Sequence, residues 1–253
     1  MKQFIFSIAI LAFSASAFGT TLPLDPHGLG QNKNVFQSIS YQNKIEVPSD
    51  EDIANGLKEA LQVGATNAAN VLHQNGGYLN NPLVKIPFPP EAATVEQKLR
   101  QVGMGAKVDQ FIATMNHGAE DAAIKAAPIF GNAITSMNLT DAKNILLGPD
   151  NSATMYFKGK TTGALYTAFS PVIKTSLDKV NATKLWAELT TTYNKLPFVK
   201  HVETDLVKYV TNKALDGVFI KIAEEEKKIR TSSNFQVTDT LKKVFGYAQS
   251  LLK

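Results

Sequence analysis

The chain has 253 residues, 44% of them hydrophobic and 19% charged, with sixteen Gly, eleven Pro and no Cys. That is length for one large domain or two small ones and apolar material for a core, so collagen-like, disordered and disulfide-stapled proteins are excluded. The lack of Cys removes a thiol nucleophile, a Cys-ligated metal centre and a thioether-linked lipid anchor, and a net charge of +4 with no dense basic cluster argues against nucleic acid as a partner.

Residues 1–19 read as a secretory signal peptide. Lys2 supplies the positive start, Phe4 to Phe13 the short apolar run, and Ala15-Ser16-Ala17 or Ala17-Phe18-Gly19 the small-residue cleavage site. The apolar stretch from Phe4 to Phe18 is shorter than the ~20 residues a bilayer-spanning helix needs. A cleaved signal is therefore expected rather than an anchor, and no later stretch reaches spanning length. The expectation is a soluble protein of the periplasm, or a secreted one. Asn138-Leu139-Thr140 and Asn181-Ala182-Thr183 have the glycosylation-acceptor form, which matters only in a eukaryotic secretory pathway. The signal has a bacterial character.

From Thr20 to Pro48 the chain is rich in Pro, Gly, Asn and Gln without a helical period, which predicts an extended or mobile N-terminal arm. A helical domain is expected over 49–253. Ser49-x-x-Asp52 has the capping-box form, and Ile53, Leu57, Leu61, Ala65, Ala68 and Leu72 follow at helical spacing until Asn75-Gly76-Gly77. Three prolines in Ile86-Pro87-Phe88-Pro89-Pro90 keep the next connection extended, and Val84-Lys85-Ile86 has the makings of a short strand. Thr94-x-x-Gln97 predicts a short helix ending at Gly103, and a long one follows from about Ala106 to Met137. Thr140 opens another turn or two before Gly148-Pro149. Asp150 or Ser152 caps a helix that Ser170-Pro171 is expected to bend or split. Asn181 caps a helix through Trp186 and Leu189, broken at Leu196-Pro197. A long helix is expected from about Val202 to Arg230, with Glu224–Lys228 and Glu226–Arg230 as i,i+4 pairs on a solvated face. Thr238 caps a last helix carrying Leu241, Val244, Phe245 and Leu252. No alternating strand or internal repeat is evident. The fold class is all-α, a single multi-helix domain with irregular Pro-rich connections.

The helix around Asn116 carries the most suggestive pattern. At ~100° per residue, Phe111, Met115, Ala119, Ala122 and Ala126 share one side and Gln110, Thr114, Asp121 and Lys125 the opposite one. Asp109, Asn116 and Glu120 share a third direction at the core margin. Two carboxylates and an amide on one line can bind a cation, orient a polar ligand or act as acid and base, or can instead hold neighbouring loops by hydrogen bonds. His117-x-x-Glu120 invites a metal reading, but His117 points about 80° from the trio's mean direction and no second Glu/His pair completes a di-metal set. His27, His73 and His201 show no ligand spacing, so no metal and no cofactor is expected.

Lys158-Gly159-Lys160-Thr161-Thr162 resembles the end of a phosphate-binding loop, yet Thr154 stands where that loop needs its first Gly. Nucleotide binding by that route is rejected. Thr154, Tyr156, Lys158, Lys160 and Thr161 remain a candidate anion surface, weighed against an ordinary solvated face. No serine sits in a G-x-S-x-G turn. Tyr193, Pro197, Phe198, Tyr209, Phe219, Phe245 and Trp186 are read as core.

Several segments taken together resemble the bacterial domain of unknown function 4197 family. They are Gly56-Leu57-Lys58-Glu59-Ala60-Leu61, Met115-Asn116, Ala119-Glu120-Asp121-Ala122-Ala123 and Pro128-Ile129-Phe130. Asp141-Ala142, Ile145-Leu146-Leu147-Gly148, Ala153-Thr154-Met155-Tyr156-Phe157 and Leu196-Pro197-Phe198 continue the series. Tyr209-Val210-Thr211, Ala214-Leu215-Asp216-Gly217, Glu226-Lys227-Lys228-Ile229-Arg230 and Lys243-Val244-Phe245-Gly246 close it. The resemblance covers about Ser49 to Gly246 and departs from the family pattern at His117-Gly118. It implies an exported helical protein and supplies no established activity. Asn116, Glu120, Asp141, Thr154, Tyr156 and Thr161 fall on the resembling segments.

The expectation is a non-enzymatic binding protein of the bacterial envelope, with a small ligand or an envelope protein as partner beside Asp109, Asn116 and Glu120. The alternatives are a hydrolase or lyase using Glu120 or Asp109 as general base, and a structural module that oligomerises through one of its last two long helices.

Overall fold

Ser49 opens the first helix as its spacing predicts. Its Oγ accepts from the Asp52 amide at 3.0 Å while Asp52 accepts from the Ser49 amide at 3.1 Å, and α1 runs Asp50–His73. The structure is a computed structural model describing residues 47–251 apart from 196, 199, 200 and 237. The expected signal peptide at 1–19 and arm residues 20–46 lie outside the described residues. Donation from the Ser49 backbone and hydroxyl, with Lys243 alongside, holds the Asp52 carboxyl below its ordinary range. Such a group stabilises the fold above its unfolded value of ~3.9, and the contribution is lost as pH falls through the lower folded value. Asp52→Asn should therefore lower the melting temperature at pH 7, by an amount that shrinks only as pH falls below about 4 toward the lower folded value. Melting curves across that range check it.

Gly76, at φ +84, ends α1 in a conformation that favours glycine, and a Cβ there would strike the Asn80 side chain. Residues 78–88 form turns and extended chain; among the described residues there is no strand, including at Val84–Ile86. A single 3-10 turn, Pro90–Ala92, leads into α2, Ala93–Gln101. Thr94 thus lies inside the first turn rather than capping it.

The long helix expected from Ala106 to Met137 is two helices, α3 (Gly105–Ala123) and α4 (Ala126–Thr135). Pro128 explains the break. Its ring clashes with the carbonyl four residues back, at Ile124, and it can sit only in a first turn, where no amide hydrogen bond is lost. α5 (Leu139–Leu146) starts with a capping box between Asn138 and Asp141.

Pro171, by contrast, leaves α6 (Ser152–Asp178) as one helix. Leu165, Phe169, Ile173 and Leu177 form a fully buried stripe across it. Each contributes ~1.5–3 kcal/mol, and together they outweigh the ~3 kcal/mol cost of an internal proline. Asn181, at φ 54, stands just before α7 (Ala182–Tyr193). Beyond it, Asn194 exchanges two hydrogen bonds of 2.9 Å with the Val202 backbone. Asp205 caps α8 (Leu206–Thr231), and Thr238 Oγ1 accepts from Leu241 N ahead of α9 (Asp239–Leu251).

The helices pack as a single domain. α3 and α8 touch each other, and each touches both α1 and α6. α4, α5 and α9 cover α1, while α2 lies on α3 and α7 spans α6 and α8. Small residues set the close approaches. A Cβ on Gly217 would lie 2.6 Å from Cε1 of Tyr78, so α8 admits that buried ring only because position 217 has no side chain. Trp186, Phe219 and Phe245 are core as expected. Phe198 is not: it is 106% exposed, with φ 61.

Candidate functional site

The polar line on α3 divides. Asn116 and Glu120 are buried, at 0% and 4% exposure, whereas Asp109 is exposed and paired with Arg100 at 2.8 Å. Asn116 treats the chain before it as a neighbouring strand would. Its Oδ1 accepts from Ile86 N at 2.8 Å, and its Nδ2 donates to Ile86 O and Ile112 O at 2.8 Å each. Glu120 Oε1 accepts from the amides of Tyr78 and Leu79 at 3.0 Å, and Oε2 lies 2.7 Å from His117 Nδ1. His73 Nδ1 lies 2.8 Å from the Glu120 carbonyl oxygen. His117 thus reaches Glu120 despite its angle on the wheel, because three residues along a helix remain within side-chain reach.

These bonds have a common purpose. The segment from Tyr78 to Ile86 has no helix or sheet of its own, and its buried amides must find partners. Asn116 and Glu120 supply them. The Tyr78 hydroxyl donates to Ala214 O at 2.7 Å, and burial, reinforced by Glu120, pushes its pKa far up. Both oxygens of Glu120 are occupied and Asp109 is held by an arginine, so neither stands free as a general base.

The remaining candidates do not join them. Asp141 belongs to the α5 capping box. Thr161 is buried and donates to Phe157 O at 2.7 Å within its own helix. Tyr156 is half-buried, its hydroxyl 3.4 Å from Ala133 O and its pKa raised by burial and by Asp141. Lys158 and Lys160 face solvent while Thr154 and Thr161 turn inward. The anion surface therefore does not assemble.

Thr154 instead meets a carboxylate that helical spacing put on the wrong face. Glu226 accepts from Ala153 N and Thr154 N at 2.9 Å and from Thr154 Oγ1 at 2.8 Å, capping α6 from α8. This replaces the local cap expected from Asp150 or Ser152. Arg230 pairs with Glu226 at 2.9 Å and donates to the last carbonyls of α5, Ile145 O at 2.6 Å and Leu146 O at 3.1 Å. The Glu226–Arg230 pair is thus buried, not solvated. Glu224 pairs with Lys221 rather than Lys228, which goes to Glu225. The i,i+4 spacing identifies a pair but not the face it lies on.

An apolar groove lies open at the surface. Phe88, Phe111 and Trp186 form an aromatic cluster with centroids 5.5–5.6 Å apart. It floors a groove of about 280 Å³ between α2, α3 and α7, walled by Leu99, Met104, Val108, Leu185 and Leu189. A second hollow of about 220 Å³ adjoins it, sharing Lys107, Phe111 and Leu185 and adding Gln110 and Thr114. Leu185 is 61% exposed at this edge. Sequence reasoning took Trp186 for core, which it is, but periodicity could not show that its neighbours leave a channel beside it. On α8 and α9, by comparison, the described residues include just Ile220 and Leu251 as large exposed apolar side chains, which makes no stripe for oligomerisation.

Among the described residues no three His, Asp or Glu side chains gather as a metal set, and no helix is long and apolar enough to cross a membrane. Neither a curated protein nor a solved structure matches the chain. A family model described as a protein of unknown function matches residues 47–246, most of the chain, and the chain therefore belongs to the DUF4197 family.

Proposed function

We propose that this is an exported, non-enzymatic binding protein of the bacterial envelope whose site is the apolar groove between α2, α3 and α7. The observation that carries the reading is the groove itself. Its floor of three packed aromatic rings is a preformed apolar surface, and Met104, Leu185 and Leu189 stand exposed around its rim, where a ligand would cover them. Export is supported by the sequence alone: Lys2, the apolar run to Phe13 and the Ala15-Ser16-Ala17 site. The polar line, first candidate for the site, serves the groove from behind. Asn116 fixes Ile86, and Phe88 two residues later forms part of the floor.

Native mass spectrometry of the chain purified from an envelope fraction tests both halves. The expected result is a mature chain starting after Ala17 or Gly19, with an added mass that is lost on denaturation. Leu185→Gln/Leu189→Gln, at two partly exposed positions, should abolish the added mass while leaving helical content unchanged. An intact N-terminus in the cytoplasmic fraction would overturn export, and an added mass indifferent to the double substitution would overturn the groove.

A further inference from the structure

The two hollows differ in chemistry, and the difference reads as the outline of a ligand. The larger is walled by Phe88, Leu99, Met104, Val108, Trp186 and Leu189, with no polar group but the Lys107 it shares. The smaller, with Phe111, Val180, Ala182 and Leu185 in its lining, adds the polar side chains of Gln110 and Thr114 beside Lys107. Lys107 stands where they meet. No acidic residue lines either hollow, and among the described residues no carboxylate pairs with Lys107, whereas Arg100, on the helix before, is taken by Glu96 and Asp109. An apolar channel running into an uncompensated cation favours a ligand that is apolar at one end and anionic at the other.

The hollows hold about 280 and 220 Å³ and share Lys107, Phe111 and Leu185, so together they reach the ~300–1,000 Å³ of a small-molecule site. A single unbranched chain can run from the apolar hollow to the cation at their junction. Resting on the binding reading above, we propose that the groove takes a single acyl chain, its tail beside Phe88, Met104 and Leu189 and its anionic head at Lys107. A free fatty acid and a lysophospholipid share that chemistry.

Trp186, the sole tryptophan of the chain, lines the groove and reports occupancy directly. Bromododecanoate, titrated below its micellar concentration into the full chain, should quench it saturably, because bromine quenches an indole only at close range. Unlabelled dodecanoate and lysophosphatidylglycerol should each restore the emission, and whichever competes more tightly names the head group. Lys107→Gln should weaken the carboxylate about two- to fivefold, the scale of an exposed ion pair. It should leave bromododecanol unchanged, and Leu185→Gln/Leu189→Gln should weaken both by roughly tenfold.

Bromododecanol binding as tightly as the carboxylate, with no effect of Lys107→Gln, would overturn the anionic head. No quenching by any acyl chain would overturn the ligand class. If the groove-dependent added mass persisted in the native spectrum, the binding reading would stand; if that too were absent, both would fall.

Discussion

Glu226→Ala is expected to destabilise this protein by ~3–5 kcal/mol, the usual cost of breaking a buried ion pair from one side. The carboxylate has three tasks at once. It accepts two amides and a hydroxyl at the start of α6, and it neutralises Arg230, which in turn closes the end of α5. Its removal leaves a largely buried guanidinium without its counter-charge and a helix N-terminus without its acceptor. Glu224→Ala is the control, since it removes a partly exposed carboxylate two residues away, for which ~0–1 kcal/mol is expected. Replacing Glu226 and Arg230 together by Leu and Met should recover part of the loss, because no charge is then stranded, but not all of it, because both helix ends stay uncapped. Urea unfolding followed by far-ultraviolet circular dichroism measures all four proteins. A Glu226→Ala midpoint equal to that of Glu224→Ala would refute the account.

Asn116→Leu should have an effect of the same order. Leucine fills a similar volume but leaves the Ile86 amide and carbonyl without the partners that Asn116 gives them, at ~1–3 kcal/mol for each orphaned group. The damage should be local as well as global. With the segment from Tyr78 to Phe88 loosened, hydrogen exchange there should accelerate ahead of the helices. Trp186 emission should shift, since Phe88 packs against it with centroids 5.5 Å apart. Asp109→Asn, on the same helical line, should stay within ~0.5 kcal/mol, because its side chain is exposed. If Asp109→Asn and Asn116→Leu were equally costly, the division of the line into a buried clamp and a surface ion pair would be wrong.

That division shows how far helical geometry carries. Three residues sharing a direction on a wheel need not share an environment, because a neighbouring segment covers only part of a helix's length. The Tyr78–Ile86 segment reaches Asn116 and Glu120 and stops short of Asp109. The same limit hid Glu226. A pattern of charges four apart is identical whether its face meets water or the amide end of another helix, and only the position of α6 against α8 distinguishes them. The buried setting of Thr154 and Thr161, close in the chain to two exposed lysines, is hidden in the sequence for a related reason. Their helix is buried on the side they occupy, and Thr161 satisfies its hydroxyl from its own backbone.

Short-range physics made part of this fold legible in the chain alone. Ser49 with Asp52, and Thr238, mark helix starts because a side chain and an amide three residues apart meet without outside help, whereas the equally local caps at Asn138 and Asp205 came only with the structure. The apolar spacing of α1, α6 and α8 likewise requires one buried stripe per helix, which is enough to specify an all-α chain, and Gly76 ends α1 because the turn there needs a left-handed residue. The tertiary structure decided what depends on which stripe faces which. It let the buried row through Phe169 and Ile173 override Pro171, while Pro128, with a first turn available to hold it, divided the helix before it. It brought Glu226 across from α8 to cap α6 and turned the polar line into a clamp. It also left Phe111 and Trp186 beside an open channel. Contacts between residues far apart in the chain have no period, so nothing in the spacing of Phe88, Lys107 and Leu185 announces that they line one groove.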